Sequence, residues 1–194
     1  MAKLKLGIVI GSARRDSINR KLAQALAQLG ADKFETKFLK VDDLPIYNQD
    51  QESDLPENVR RFKTEAVASG AFLFVTPEHN RSIPALLKNA IDWGSRPYGT
   101  SVWTGKPAAT TGTSGGAIST AVAQQHLRQI LGNFVGMHVM GGEAYVAFKP
   151  ELIDAQGNVT DENVRAFLKD FIDRFAAYAA RFASIHSDAS EHAA

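Results

Sequence analysis

The chain has 194 residues, 44% hydrophobic and 22% charged, with a formal net charge of +1 and no cysteine. Such a balance suits one soluble domain with a substantial core. It excludes disulfides, thiolate catalysis, iron–sulfur clusters and Cys-ligated zinc, and it offers neither a global basic field for nucleic acid nor an acidic block.

An apolar run, Leu4 to Ile10, reads as a buried strand, and Leu22, Ala25, Leu26 and Leu29 are spaced like the inner face of a helix. Thr36 to Val41 reads as a second strand. The stretch from Asp42 to Asn58 is a long, lid-like segment that Pro45 and Pro56 keep from being helical. Val59, Phe62, Ala66 and Val67 mark a second amphipathic helix. Ala71 to Val75 is continuously apolar, as expected of a central parallel strand covered on both faces. A helix starts near Pro84 and runs through Trp93, followed by a loop from Gly94 to Gly105. Lys106 to Thr111 is a fourth strand, Ala117 to about Leu131 a helix, and Val135 to Met140 a fifth strand. After a connection from Gly141 to Gly157, a last helix opens at Asn158 to Glu162 and carries Val164, Phe167, Leu168, Phe171, Ile172, Phe175 and Phe182 along one side. Residues 1–185 thus read as one domain, and 186–194 as a disordered tail.

Strands alternating with helices imply an α/β protein with a parallel sheet. In such sheets ligands bind outside the carboxyl ends of the strands, and the loops after strands one, three and four are the most polar and glycine-rich. The N-terminus enters a strand at once, without the long apolar segment of a signal peptide, and no apolar run is long enough to span a bilayer. A cytoplasmic location is therefore expected, with no membrane and no nucleic acid among the partners.

The first loop, Gly11 to Arg20, aims polar residues and the free N–H groups of a helix start at one point. Helix starts attract anions. Ser12, Ser17 and Asn19 add neutral donors, and Arg14, Arg15 and Arg20 add charge, so a phosphate suits it. An ordinary helix start with Ser17 as N-cap remains the alternative. The second loop, Thr76 to Asn80, offers a rigid backbone near Pro77 and amide and carbonyl groups able to read a flat heterocycle, or is a solvent-exposed turn. The third, Thr113-Ser114-Gly115-Gly116, presents small residues and N–H groups that suit a carbonyl edge, or is a flexible connection. No G-x-G-x-x-G follows the first strand, no G-x-S-x-G nucleophile elbow occurs, and the five histidines lack zinc spacing. Gly99 to Lys106 imitates a nucleotide P-loop, but Pro107 stands where Ser or Thr should hold the metal. No metal site and no catalytic side chain is assigned.

Three stretches in register carry a resemblance: Gly11-Ser12-x-Arg14-x-x-Ser17-x-Asn19, Pro77-Glu78-His79-Asn80-x-Ser82-x-Pro84, and Leu87-Lys88-Asn89-Ala90-Ile91-Asp92-Trp93-x-Ser95-Arg96. Over Lys3 to about Arg128 the chain resembles the NAD(P)H-dependent FMN reductases, and within them the bacterial quinone and chromate reductase branch. The resemblance implies a flavodoxin-like three-layer sandwich, a five-stranded parallel sheet of order 2-1-3-4-5 with helices on both faces. It implies FMN as cofactor, NADPH or NADH as hydride donor, and a quinone or a similar acceptor such as chromate, an azo compound or free flavin. It further implies a homodimer or homotetramer. By position, Ser12, Arg14, Ser17 and Asn19 surround the FMN phosphate. Pro77, Glu78, His79 and Asn80 lie along the isoalloxazine with Ser82 nearby, and Ser114, Gly115 and Gly116 approach its pyrimidine end. The flavin does the redox chemistry, so no catalytic residue is required. The family usually has Tyr where His79 stands. A flavodoxin-type electron carrier is the alternative function, against which the near-zero net charge argues.

Overall fold

The computed structural model describes residues 3–154 and 156–191, with side chains through Phe182. In chain order the elements are β1 (Leu4–Ile10), α1 (Ile18–Leu29), β2 (Phe34–Leu39), α2 (Glu57–Val67), β3 (Ala71–Val75), α3 (Ala85–Ser95), β4 (Pro107–Ser114), α4 (Ala121–Gln129), β5 (His138–Val139), β6 (Tyr145–Ala147) and α5 (Glu162–Glu191). The strands are parallel and ordered β2-β1-β3-β4-β5, with β6 also pairing β4. This is the expected flavodoxin-like order.

Strand alternation sends side chains to opposite faces and so builds two cores. Leu6, Ile8 and Ile10 of β1 and Leu73 and Val75 of β3 pack against α1 and α5 through Leu22, Leu26, Phe171, Ile172 and Phe175. Val9, Phe72 and Phe74 face the other way, against Phe62 of α2, Leu87 and Ile91 of α3 and Leu127 of α4. A helical layer on each face buries both sides of the sheet, which is why β3 reads as an unbroken apolar run.

Besides shifts of one to three residues at the ends of β2 and β4, three features depart from the sequence reading. The expected fifth strand is split: β5 pairs the start of β4 (Pro107↔His138), and β6 pairs its end (Ser114↔Ala147). The chain between them turns at Gly142, whose φ is +95°, a region open to glycine. Arg128 holds this detour by donating to the carbonyls of Met140 and Gly142. Next, α4 starts four residues late, because Ser119 has a φ of +52° and its N–H turns back to the Gly116 carbonyl at 2.9 Å. Its far end widens into a π turn over Ile130–Phe134. Finally, Phe167 lies off the buried stripe of α5, which runs through Leu168, Phe171, Ile172, Phe175 and Ala179. The backbone of α5 continues through 186–191, six of the nine residues read as a tail; side chains from residue 183 and all of 192–194 lie outside the described residues.

The Asp42–Asn58 segment is pinned rather than loose. Asn89 Nδ2 and Trp93 Nε1 both donate to the Pro45 carbonyl, at 2.8 and 2.7 Å, and the Tyr47 N–H donates to Asn89 Oδ1 at 2.8 Å. Arg61 clasps Asp43 at 2.7 and 2.9 Å, and this guanidinium holds the Asp43 carboxyl down at about 2.

Candidate cofactor site

The carboxyl ends of β1, β3 and β4 are cross-tied by backbone and side chain. The Gly11 N–H extends the β1–β3 ladder by donating to the Val75 carbonyl at 2.9 Å, and the Thr76 N–H donates to the Thr111 carbonyl at the same distance. A side chain on Gly112 would overlap the Thr76 carbonyl, so loop two can lie this close to β4 only over a glycine.

In loop one Ser17 is the N-cap of α1, its backbone extended and its Oγ accepting from the Arg20 N–H at 3.3 Å. The Ile18 and Asn19 N–H groups have no protein acceptor among the described residues and point out of the helix start, where the macrodipole is positive. Ser12 is half-buried and Arg14 exposed. Asn19 differs from its expected use. It is 2% exposed, with its Nδ2 donating to the Thr113 carbonyl at 2.9 Å and its Oδ1 accepting from the Thr113 N–H at 3.0 Å. Its side chain thus ties α1 to β4, and its backbone N–H is the group left for an anion.

Loop two is a tight hairpin. His79 and Ser82 exchange N–H···O bonds at 3.0 and 2.9 Å, with Asn80 and Arg81 at φ +50° and +61°. Two successive positive φ values make a type I′ turn, which Asn favours and Arg does not. His79 and Asn80 are exposed, and Ser82 Oγ lies 3.2 Å from His126 Nδ1 on α4. The Glu78 carboxylate is taken up by α4. The side chain is only 8% exposed and turns down to the helix, where Oε2 accepts from the N–H groups of Val122 and Ala123 at 3.0 and 3.1 Å. Its Oε1 takes Arg81 Nη1 at 2.8 Å.

Loop three turns on Ser114, whose Oγ donates to the Ser119 carbonyl at 2.9 Å and accepts from the Gly116 N–H at 3.2 Å. A Cβ on Gly115 would meet nothing within 4 Å, and on Gly116 only Ser114 Oγ at 3.6 Å. Neither glycine is demanded by the protein's own packing, so the space above them is open. Loops two and three enclose a cleft of about 420 Å³ lined by Glu78, Asn80, Arg81, Ser114 and Gly116 to Ser119. Sequence reasoning passed over Arg81, Ala117, Ile118 and Ser119. Arg81 stood inside the quoted motif as an unassigned position, and nothing in the sequence signals the other three.

The model of the NADPH-dependent FMN reductase family matches residues 4–151. The chain belongs to this family. It is 47% identical, over 90% of its length and 96% of the relative's, to a 2-hydroxy-1,4-benzoquinone reductase of Burkholderia sp. Identity is 46% to a quinone reductase of Pseudomonas putida, over 89% of this chain and 93% of that one. The solved flavoenzyme NAD(P)H:(acceptor) oxidoreductase of Paracoccus denitrificans superposes with a TM-score of 0.89 at 43% identity, covering 92% of this chain and 98% of that one. The protein is therefore an NAD(P)H-dependent FMN reductase, and its three loops fit the cofactor the family uses. The bare N–H groups at the start of α1 suit a phosphate, and the open space over Gly115 and Gly116 admits a flat ring.

Proposed function

We propose that this FMN reductase passes electrons from NADPH or NADH to a quinone across the crevice formed by its three loops. When bound, FMN supplies the redox chemistry, taking a hydride from the nicotinamide and passing two electrons and a proton to the quinone, which gains a second proton from water to become the quinol. The observation that carries the reading is that the carboxyl ends of β1, β3 and β4 are tied to one another, with a cleft between loops two and three and open room over Gly115 and Gly116.

In this reading Ser12, Arg14 and Ser17, with the Asn19 N–H, hold the phosphate. The Pro77 to Asn80 backbone and Ser82 flank the ring, and Ser114 to Gly116 direct N–H groups at its carbonyl edge. Orientation and electrostatics are the protein's whole contribution, and no side chain needs to act as a nucleophile. His79, exposed beside the ring, replaces the family's usual Tyr with a smaller, titratable group and bears on acceptor choice. One FMN-binding domain over residues 1–185, a cytoplasmic location and an assembly of two or four copies complete the proposal. The assembly is supported by Ile46 and Tyr98, 87% and 92% exposed, the first beside two pinned neighbours.

An absorbance spectrum of the purified protein, followed by anaerobic addition of NADPH and then of 1,4-benzoquinone, tests the reading. A flavin spectrum that bleaches with NADPH and returns with the quinone is expected. A colourless protein that takes up no FMN refutes it. Bleaching only in the presence of a partner reductase would instead identify an electron carrier.

A further inference from the structure

We propose that Glu78 is a positioning residue that sets both the place and the electric field of the α4 N-terminus beneath the cofactor. The proposal rests on the placement of FMN over loops two and three.

Helix α4 lacks a cap of its own. Thr120 stands at the N-cap position, but its side chain makes no capping bond; its Oγ1 accepts from Gln124 Nε2 at 3.0 Å instead. A helix start left bare would hold unsatisfied N–H groups and a partial positive charge. Glu78 satisfies them from another element, since its Oε2 takes both Val122 and Ala123 N–H groups. The cap therefore joins the end of β3 to the start of α4, the helix into which the Ser114–Ser119 turn leads. One carboxylate fixes the spacing of two loops that form the cleft.

The same carboxylate carries charge. Its side chain is 8% exposed, whereas its counter-ion Arg81 is 67% exposed. Water and salt screen the guanidinium far more than the carboxylate. The cleft floor therefore combines a partly positive helix end, a poorly screened negative charge and a well-screened positive charge at the rim. Reduction places negative charge on the flavin. A bare helix end would favour that state, Glu78 offsets the helix end, and Arg81 partly restores the positive field. Arg81 has a left-handed φ of +61° in the turn closed by His79 and Ser82, and from there its guanidinium reaches Glu78. The Glu78 carboxylate thus acts on the cofactor through α4 and Arg81, while the backbone of loop two flanks the ring.

The test compares Glu78→Gln, Glu78→Asp and Arg81→Ala in the FMN-loaded protein, measuring FMN dissociation constants in the oxidised and reduced states and the unfolding temperature. Glu78→Gln keeps an acceptor but removes the charge. It is expected to improve reduced-state binding relative to oxidised-state binding about two- to fivefold, the strength of a charge at a helix end. Arg81→Ala leaves the cap in place and should shift the same ratio the opposite way, by less, and less still at high salt. Glu78→Asp keeps the charge on a shorter arm, so it should lower the unfolding temperature without the ratio change of Glu78→Gln.

Equal weakening of both redox states by Glu78→Gln, with Arg81→Ala inert, would make Glu78 a structural clamp only; the proposal would fall while the cofactor site stood. Unchanged FMN affinity in every variant, with a lowered unfolding temperature, would remove FMN from this cleft and overturn both readings. Should Glu78→Gln fail to fold, Arg81→Ala decides alone: a loss confined to the reduced state supports the proposal, and none overturns it.

Discussion

Replacing Asn19 with Ala tests how the phosphate loop is held in place. Strand β3 stops pairing with β4 at Val75↔Thr111, so Thr113, two residues on, has no strand beside it on that side. The Asn19 amide fills the gap, donating to the Thr113 carbonyl and accepting from its N–H as a strand peptide would, at 2.9 and 3.0 Å. Thr113 is 1% exposed, so water has little access to the orphaned groups. Leaving a buried donor and acceptor unpaired costs about 1–3 kcal/mol each, and a net loss of about 3 kcal/mol is expected. For a chain of this size that is a fall in Tm of about 6–12 °C. Thermal unfolding of the FMN-free protein should show it, because the bond is internal. Asn19→Asp should be at least as damaging, since its second oxygen meets the Thr113 carbonyl and adds a buried charge. A fall of less than about 2 °C in the FMN-free protein, coupled with a large loss of FMN affinity, would refute the tie and make the side chain a cofactor ligand.

Arg14→Ala should raise the FMN dissociation constant about 10–100-fold, the worth of a charge-assisted bond to phosphate, with no change in the unfolding temperature of the FMN-free protein; fluorescence titration measures it. Asp43→Asn should lower stability by about 1–2 kcal/mol at neutral pH, after discounting for the partly exposed ion pair with Arg61. Because the folded pKa is depressed to about 2 from 3.8, that contribution is complete above about pH 4 and disappears as pH falls through 2, so denaturant curves of parent and variant should converge there. Gly94→Ala would drive a Cβ into the indole of Trp103, which is fully buried and donates to the Ile91 carbonyl at 3.1 Å. It should cost about 1–3 kcal/mol or more and alter the near-ultraviolet circular dichroism of the tryptophans.

The layout of strands and helices was legible because periodicity reports burial. Strand β3, apolar at every position, had to be central, and Leu22, Ala25 and Leu26 had to face the sheet. The places where the reading slipped are those where tertiary bonds outweigh local pattern. Nothing local in Ala117 to Thr120 forbids helix; α4 starts late because the Ser119 hydroxyl donates to the Val146 carbonyl at 2.8 Å and its backbone turns left-handed. The fifth strand breaks because Arg128, nearly a whole helix away, anchors the carbonyls of the detour. Site residues were legible as a set of loops but not by role. The motif that contains Glu78 cannot say whether the carboxylate points at a ring or at a helix end, since adjacent residues in an extended segment point in opposite directions.

The third resembling stretch, Leu87 to Arg96, shows how far a motif can lie from the chemistry that made it recognisable. None of its residues lines the cleft between loops two and three. Asn89 and Trp93 hold the Asp42–Asn58 segment by three hydrogen bonds of 2.7 to 2.8 Å, and Gly94 makes room for Trp103. At about 1 kcal/mol net per bond, these contacts fasten the segment at Pro45 and Tyr47 by about 3 kcal/mol. The two short turns Asn80–Arg81 and Gly115–Ile118 are the exposed backbone that borders the cleft. The first is held by the pair of bonds between His79 and Ser82, by the Ser82 contact with His126 and by the Glu78–Arg81 ion pair, so the residue that caps α4 also helps to fix this border of the cleft.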